Sequence, residues 1–103
     1  MKQFDVYINT NPDSSPYIPY LLDVQSDLLD LLKTRVVVPL ELCSVAKPAE
    51  ILNPVFSIKG TMVMMSTAEL AGVHIQHLGE TVDSLAHERD KIIAALDMLF
   101  LGY

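Results

Sequence analysis

The chain has 103 residues, with seven Lys or Arg against thirteen Asp or Glu and a formal net charge of −6. That length suits one domain, over 1–103, with one core. The acidic balance excludes the basic patch through which proteins grip nucleic acid, but it suits an enzyme partner that handles DNA and so presents a basic surface. Half the residues are hydrophobic, rich for a lone small domain, which implies that a partner covers some apolar surface.

In chain order, Gln3 to Ile8 alternates. Phe4, Val6 and Ile8 fall on one face and Gln3, Asp5 and Tyr7 on the other, as in a half-buried strand. Asn9 to Pro16 is dense in Asn, Asp, Ser and Pro and reads as a loop. Tyr17 to Val24 reads as a second strand in an antiparallel hairpin with the first, its early part confined by Pro19 to an edge or bulge. Asp27 to Lys33 fits either a short helical turn or the approach to the next strand.

Arg35 to Leu40 contains Val36-Val37-Val38, a strand buried on both faces and closed by Pro39. Glu41 to Pro54 is irregular, broken by Pro48 and Pro54. Val55 to Ile58 and Thr61 to Ser66 are strands joined by a Lys59-Gly60 turn, with Met62 and Met64 sharing a core face. Thr67 to Gly72 is a helical turn or loop, and Val73 to Leu78 alternates as a strand. On a strand, His74 and His77 point to opposite faces and do not share a metal.

The last element is a helix from about Ser84 to Leu101, capped by Asp83 or Ser84. Glu88 faces Lys91 and Ile92 one turn on. Leu85, Ile92, Leu96 and Leu99 form one stripe, and Ile93 and Phe100 widen it beyond what one small sheet covers. Gly102 ends the helix in a left-handed conformation. The apolar Leu99-Phe100-Leu101-Gly102-Tyr103 end is expected to be buried in its own core, a twin subunit or a partner.

Chemistry-bearing patterns are sparse. Cys43, the single cysteine, has neither a base nor an activating neighbour in its local sequence and reads as a small core filler. The glycines are scattered rather than gathered in a phosphate-binding loop. Asp23, Asp27 and Asp30 suit capping and turn roles at strand ends. His87-Glu88 reads as a solvated pair. Nothing combines nucleophile, base and oxyanion donors, so the chain reads as a binding protein without catalytic residues, metal or cofactor. The N-terminus lacks the apolar run of a signal peptide, and no segment reaches bilayer-spanning length, so a cytoplasmic location is expected.

Several segments line up together: Gln3-Phe4-Asp5-Val6-Tyr7, Asp23-Val24-Gln25-Ser26-Asp27-Leu28-Leu29-Asp30, Arg35-Val36-Val37-Val38-Pro39-Leu40, Leu52-Asn53-Pro54-Val55, and a terminal helix closing on Phe-x-Gly. In that order and spacing the chain resembles the CcdB family, toxins of bacterial toxin–antitoxin pairs. The resemblance implies a mainly β fold with a C-terminal α-helix, a small SH3-like, partly open antiparallel barrel of the CcdB and MazF type, and a homodimer. It further implies binding to the A subunit of DNA gyrase, trapping of gyrase on cleaved DNA, and neutralisation by a CcdA-like antitoxin with a flexible C-terminal segment.

The family's gyrase contacts carry over onto Gln3, Phe4, Tyr7 and Ser26, which match. Leu28 and Leu29 replace other aliphatics, and Asp97 stands where Asn is expected. At the tip, Leu101, Gly102 and Tyr103 stand where the family has Trp-Gly-Ile. Gly102 is kept, but Leu101 cannot supply the cation–π attraction of a Trp to a gyrase arginine. Two alternatives stay open: an interaction protein of this fold that binds antitoxin but no longer poisons gyrase, and a toxin ribonuclease on the same scaffold.

Overall fold

The computed structural model describes residues 1–43 and 49–103; Pro48, expected to break the irregular segment, lies outside them. The strands are β1 (Asp5–Asn9), β2 (Tyr20–Asp23), β3 (Thr34–Leu42), β4 (Val55–Ile58), β5 (Thr61–Met65), β6 (Ala71–His74) and β7 (Leu78–Ser84), followed by helix α1 (Arg89–Leu101). They form one antiparallel sheet in the order β4-β5-β3-β2-β1-β7, with β6 also on β3, curled into a half-barrel that carries one C-terminal helix.

β3 is the hub of the sheet. One edge pairs with β2 from Val37 to Leu40. The other pairs first with β6, from Thr34 to Val37, and then with β5, from Leu40 to Leu42. Pro39 does not close this strand. It falls in the interval where β3 exchanges β6 for β5, so its missing N–H costs no ladder bond there, and its carbonyl accepts from Ser66 N at 2.9 Å. The valine run is largely enclosed, as its continuous apolarity implied: Val37 and Val38 are buried and Val36 is half-buried.

The hairpin of β1 with β2 is present, with Val6 opposite Leu22 and Ile8 opposite Tyr20. Val6 joins the common core, whereas Tyr7 is buried outside that cluster and its phenol reaches Asp23. Ile8, expected beside Val6, is instead exposed, where the register of β1 against β7 shifts between Tyr7 and Asn9. β7 itself was not expected, and the helix starts later than Ser84. Gly79 explains part of this: a Cβ there would lie 2.7 Å from the Ile8 carbonyl, so only glycine allows β1 and β7 to approach so closely.

After β7, Leu85 plugs the core and a 3-10 turn, Ala86–Glu88, leads into α1. Ser84 Oγ accepts from Ala86 N at 3.3 Å, so it braces this turn rather than capping the helix. Ile92 and Ala95 of α1 are fully buried against Val6, Leu22, Val38 and Phe56 of the common core. Ile93 and Leu96 pack partly against it. Gly102 stops the helix at φ 80°, donating to Met98 O at 3.1 Å.

Lys59 and Gly60, at φ 49° and 84°, make the two-residue β4–β5 turn. On β5 the core face belongs to Val63 and Met65. Met64 is covered on the opposite face, where β5 lies between β3 and β4, but Met62, near the hairpin end, is 52% exposed and not part of the core. The end of the expected Val73–Leu78 strand is a 3-10 turn, Ile75–His77. Cys43 is half-buried.

The core and the surface leucines should separate cleanly on truncation. Leu22→Ala removes a fully buried side chain and should cost about 2–5 kcal/mol in urea denaturation. Leu31→Ala, at a residue 99% exposed, should stay within about 0.5 kcal/mol of the parent.

Candidate binding site

β2 ends at Asp23, whose carboxylate turns inward. Asp23 is 0% exposed and its Oδ2 meets Nε of Arg35, 1% exposed, at 2.7 Å. Asp23 Oδ1 accepts from Gln25 N at 3.0 Å, the side-chain turn that Asp favours at strand ends. Arg35 Nη2 donates to the Gln25 carbonyl at 3.3 Å. The Gln25 side chain bridges onward: Oε1 accepts from Val36 N at 3.0 Å and Nε2 donates to Leu29 O at 3.1 Å. One buried ion pair and one buried amide thus clamp the chain that follows β2 onto β3.

The N-terminal residues clamp it from the other side. Phe4 N donates to Asp23 O at 2.6 Å, and Phe4 O accepts from Leu85 N at 2.8 Å. Phe4 takes a left-handed backbone, φ 72°, a conformation that costs a non-glycine residue energy and persists because both neighbouring strands hold it. Gln3 Nε2 donates to Val24 O at 3.2 Å, and Gln3 N donates to Asp27 Oδ1 at 2.7 Å.

Within this frame the ambiguous Asp27–Lys33 segment starts as a 3-10 turn, Asp27–Leu29, with Ser26 Oγ accepting from Leu28 N at 3.2 Å. Every apolar side chain of the turn is left outside. Leu28 is 94% and Leu31 99% exposed, and Leu29 and Leu32 are half-exposed. Asp27 and Asp30 lie among them on the surface.

The expected site residues fall into two groups. Gln3, Ser26, Leu28 and Leu29 surround the turn, with Phe4 and Tyr7 buried beneath it and around Asp23. Asp97, Leu101, Gly102 and Tyr103 lie at the exposed end of α1, with Leu101 59% and Tyr103 82% exposed beside exposed Phe100. No side-chain hydrogen bond joins the two groups among the described residues. Gln25 and Arg35, which organise the first group, were not expected as site residues. The available signal was a lone Arg heading an otherwise apolar strand.

Burial pushes the Tyr7 phenol well above its ordinary value of 10.0, reinforced by the negative charges of Asp23 and Asp5. Burial likewise pushes the Asp23 carboxyl up, against the opposing hydrogen bonds from Arg35 and Gln25 N. The bond to Asp23 raises Arg35 above its usual value, which keeps the guanidinium charged in the core.

Elsewhere, His74 and His77 are not on opposite faces. The 3-10 turn brings their rings edge to face at 6.3 Å, and His74 Nδ1 accepts from Gln76 N at 3.1 Å. No group of three His, Cys, Asp or Glu side chains is placed to hold a metal among the described residues. Glu88 pairs with Lys91 at 3.1 Å. Among the described residues, no helix is long and apolar enough to cross a membrane.

The structure is that of a small mainly β domain, a curled antiparallel sheet with one C-terminal helix that presents a braced apolar turn and an apolar helix tip. The family model described as "CcdB protein" matches residues 3–102, and the chain belongs to that family. Members of the family are toxins of the CcdA/CcdB toxin–antitoxin system, directed at DNA gyrase and not generally catalytic.

The raised Tyr7 phenol has a consequence for alkaline stability. Unfolded, Tyr7 ionises near its ordinary 10.0, whereas the folded protein holds the proton to higher pH. The contribution is fully present below about pH 10 and is lost as pH rises above it. Urea midpoints taken at about pH 9 and about pH 11 should fall more for the parent than for Tyr7→Phe.

Proposed function

We propose that this chain, one domain over 1–103, is the toxin of a type II toxin–antitoxin pair. It binds the A subunit of DNA gyrase as a homodimer and traps the gyrase–cleaved DNA complex until a CcdA-like antitoxin releases it. The observation that carries this reading is the braced turn, which holds Leu28 and Leu31 almost fully in solvent above a buried ion pair. A small protein gains nothing in folding from that arrangement, whereas a partner surface does. The net charge of −6 suits a basic, DNA-handling enzyme.

The contacts are made by Gln3, Ser26, Leu28 and Leu29 at the turn, and by Asp97, Leu101, Gly102 and Tyr103 at the helix tip. Phe4 and Tyr7 are buried and support the turn from beneath. The antitoxin's extended segment orders across the loops Asn9–Pro16 and Glu41–Pro54, the latter including residues 44–48 outside the described structure. A cleft of about 490 Å³ beside the first loop, lined by Thr10, Ile18, Leu21, Pro39 and His77, offers it room.

One observation favours a second reading, in which antitoxin binding persists without gyrase poisoning. Leu101 occupies the position of the family's Trp, and the missing cation–π contact is worth about 0.5–2 kcal/mol. Gyrase titration decides between them. On the first reading the parent binds and Leu28→Asp weakens binding at least about tenfold, as loss of an interface anchor does. Leu101→Trp with Tyr103→Ile should tighten binding and raise toxicity on induced expression. Undetectable binding by the parent, restored by the tip exchange, establishes the second reading. Sedimentation at micromolar concentration should give a dimer; monomer alone contradicts the homodimer.

A further inference from the structure

We propose that Arg35 is the positioning residue of the turn that carries Leu28 to Leu32, and that Asp30 closes on its free Nη1 to latch that turn in place. A guanidinium offers five N–H donors in a fixed fork. Here Nε is taken by Asp23 at 2.7 Å and Nη2 by the Gln25 carbonyl at 3.3 Å. Nη1 is sealed from solvent and has no hydrogen-bond partner, alone in this among the side chains of the described residues. A buried donor left in that state is costly, so the fold holds a standing preference for any acceptor that reaches it.

The acceptor at hand is Asp30 Oδ1, 3.7 Å from Nη1. That is ion-pair distance but not hydrogen-bond distance, and a movement of less than about 1 Å converts one into the other. The Asp30 side chain is 62% exposed, so nothing packed against it has to give way. One side chain from β3 therefore addresses three points of the outer segment: its start at Asp23, its entry at Gln25 and its far end at Asp30.

The latch acts where other restraints are weakest. The first half of the turn is held by Gln3 N on Asp27 at 2.7 Å and by the Gln25 amide on Leu29 O at 3.1 Å. Beyond it, Asp30 N reaches Asp27 O at 3.3 Å and Leu32 N reaches Leu29 O at 3.2 Å, both long turn bonds. Asp30 lies between Leu29 and Leu31. Closing it onto Nη1 pins the main chain between them and fixes both leucines outward as one ordered apolar surface. Opening it frees residues 30–32, while Lys33, whose carbonyl accepts from Ile75 N at 2.9 Å, and the sheet stay in place. A surface ordered in advance binds without the entropy cost of ordering on contact. That last consequence rests on the proposed gyrase contact of the turn; the latch does not.

The test uses the full chain with Asp30→Ala, at an exposed position that the fold tolerates, and Arg35→Lys, which keeps a positive charge for Asp23 but not the fork. Backbone 15N order parameters for Leu29 to Leu32 should fall in Asp30→Ala from about 0.85 towards 0.6 or below. Asp30→Asn, which keeps an acceptor oxygen, should restore most of the order. The melting temperature of the alanine variant should stay within about 2 °C of the parent, as expected for an exposed side chain. Arg35→Lys, if folded, should loosen the same residues. Unchanged order in Asp30→Ala overturns the latch whatever gyrase does. Lost order with undiminished gyrase affinity upholds the latch and removes the turn from the proposed gyrase contact.

Discussion

Between β2 and β3 an aspartate and an arginine, both sealed from water, meet at 2.7 Å, and the course of the chain from Asp23 to Gln25 is tied to that meeting. Two charges taken out of water are expensive to bury and more expensive to separate. The pair therefore contributes little net stability as a unit but makes one arrangement of the neighbouring chain far better than others. Asp23 spends its second oxygen on Gln25 N, and Arg35 spends its second donor on Gln25 O. The chain leaving β2 is committed to a tight course over β3 before the surface turn begins.

That commitment explains how a 103-residue chain tolerates four leucines on a surface turn. The core beneath is closed by Leu22, Val38, Phe56 and Ile92 without them. The turn is braced by polar bonds rather than by apolar packing, so its leucines remain for a partner. The same logic holds at the other end, where Gly102 stops α1 after its inner residues are buried and leaves Phe100, Leu101 and Tyr103 outside. Two apolar surfaces on an acidic protein, one on a turn braced by polar bonds and one at a helix end, fit the proposed toxin, which occupies a protein target.

Much of the fold was legible because local patterns and tertiary structure agree. The Val36-Val37-Val38 run, the Lys59-Gly60 hairpin and the glycine stop at Gly102 each carry a local physical signal that the structure obeys. The misreadings arise where tertiary pairing overrides periodicity. Ile8, which alternation sets beside Val6, is exposed where the register of β1 against β7 shifts, and alternation cannot show a bulge. Gly79 is a close-approach residue inside β7, where β1 and β7 meet across the sheet, and the polar residues around it show no strand alternation, so the local pattern does not reveal the strand. Pro39 reads as a strand end because a sequence does not reveal that β3 changes partners there. For the site, the exposed residues came from family resemblance, whereas Arg35 and Gln25 act through buried bonds across ten residues or more, a separation no local window displays.

The central claim is that the Asp23–Arg35 pair organises the candidate site, and a double-mutant cycle measures it most directly. Asp23→Asn, Arg35→Met and the double variant would be compared with the parent in urea denaturation. Each single change strands a buried partner and should cost about 3–5 kcal/mol. The double change should cost less than the sum of the singles by at least about 2 kcal/mol, the sign of direct coupling. Additive losses, or single losses within about 0.5 kcal/mol of the parent, would contradict the account.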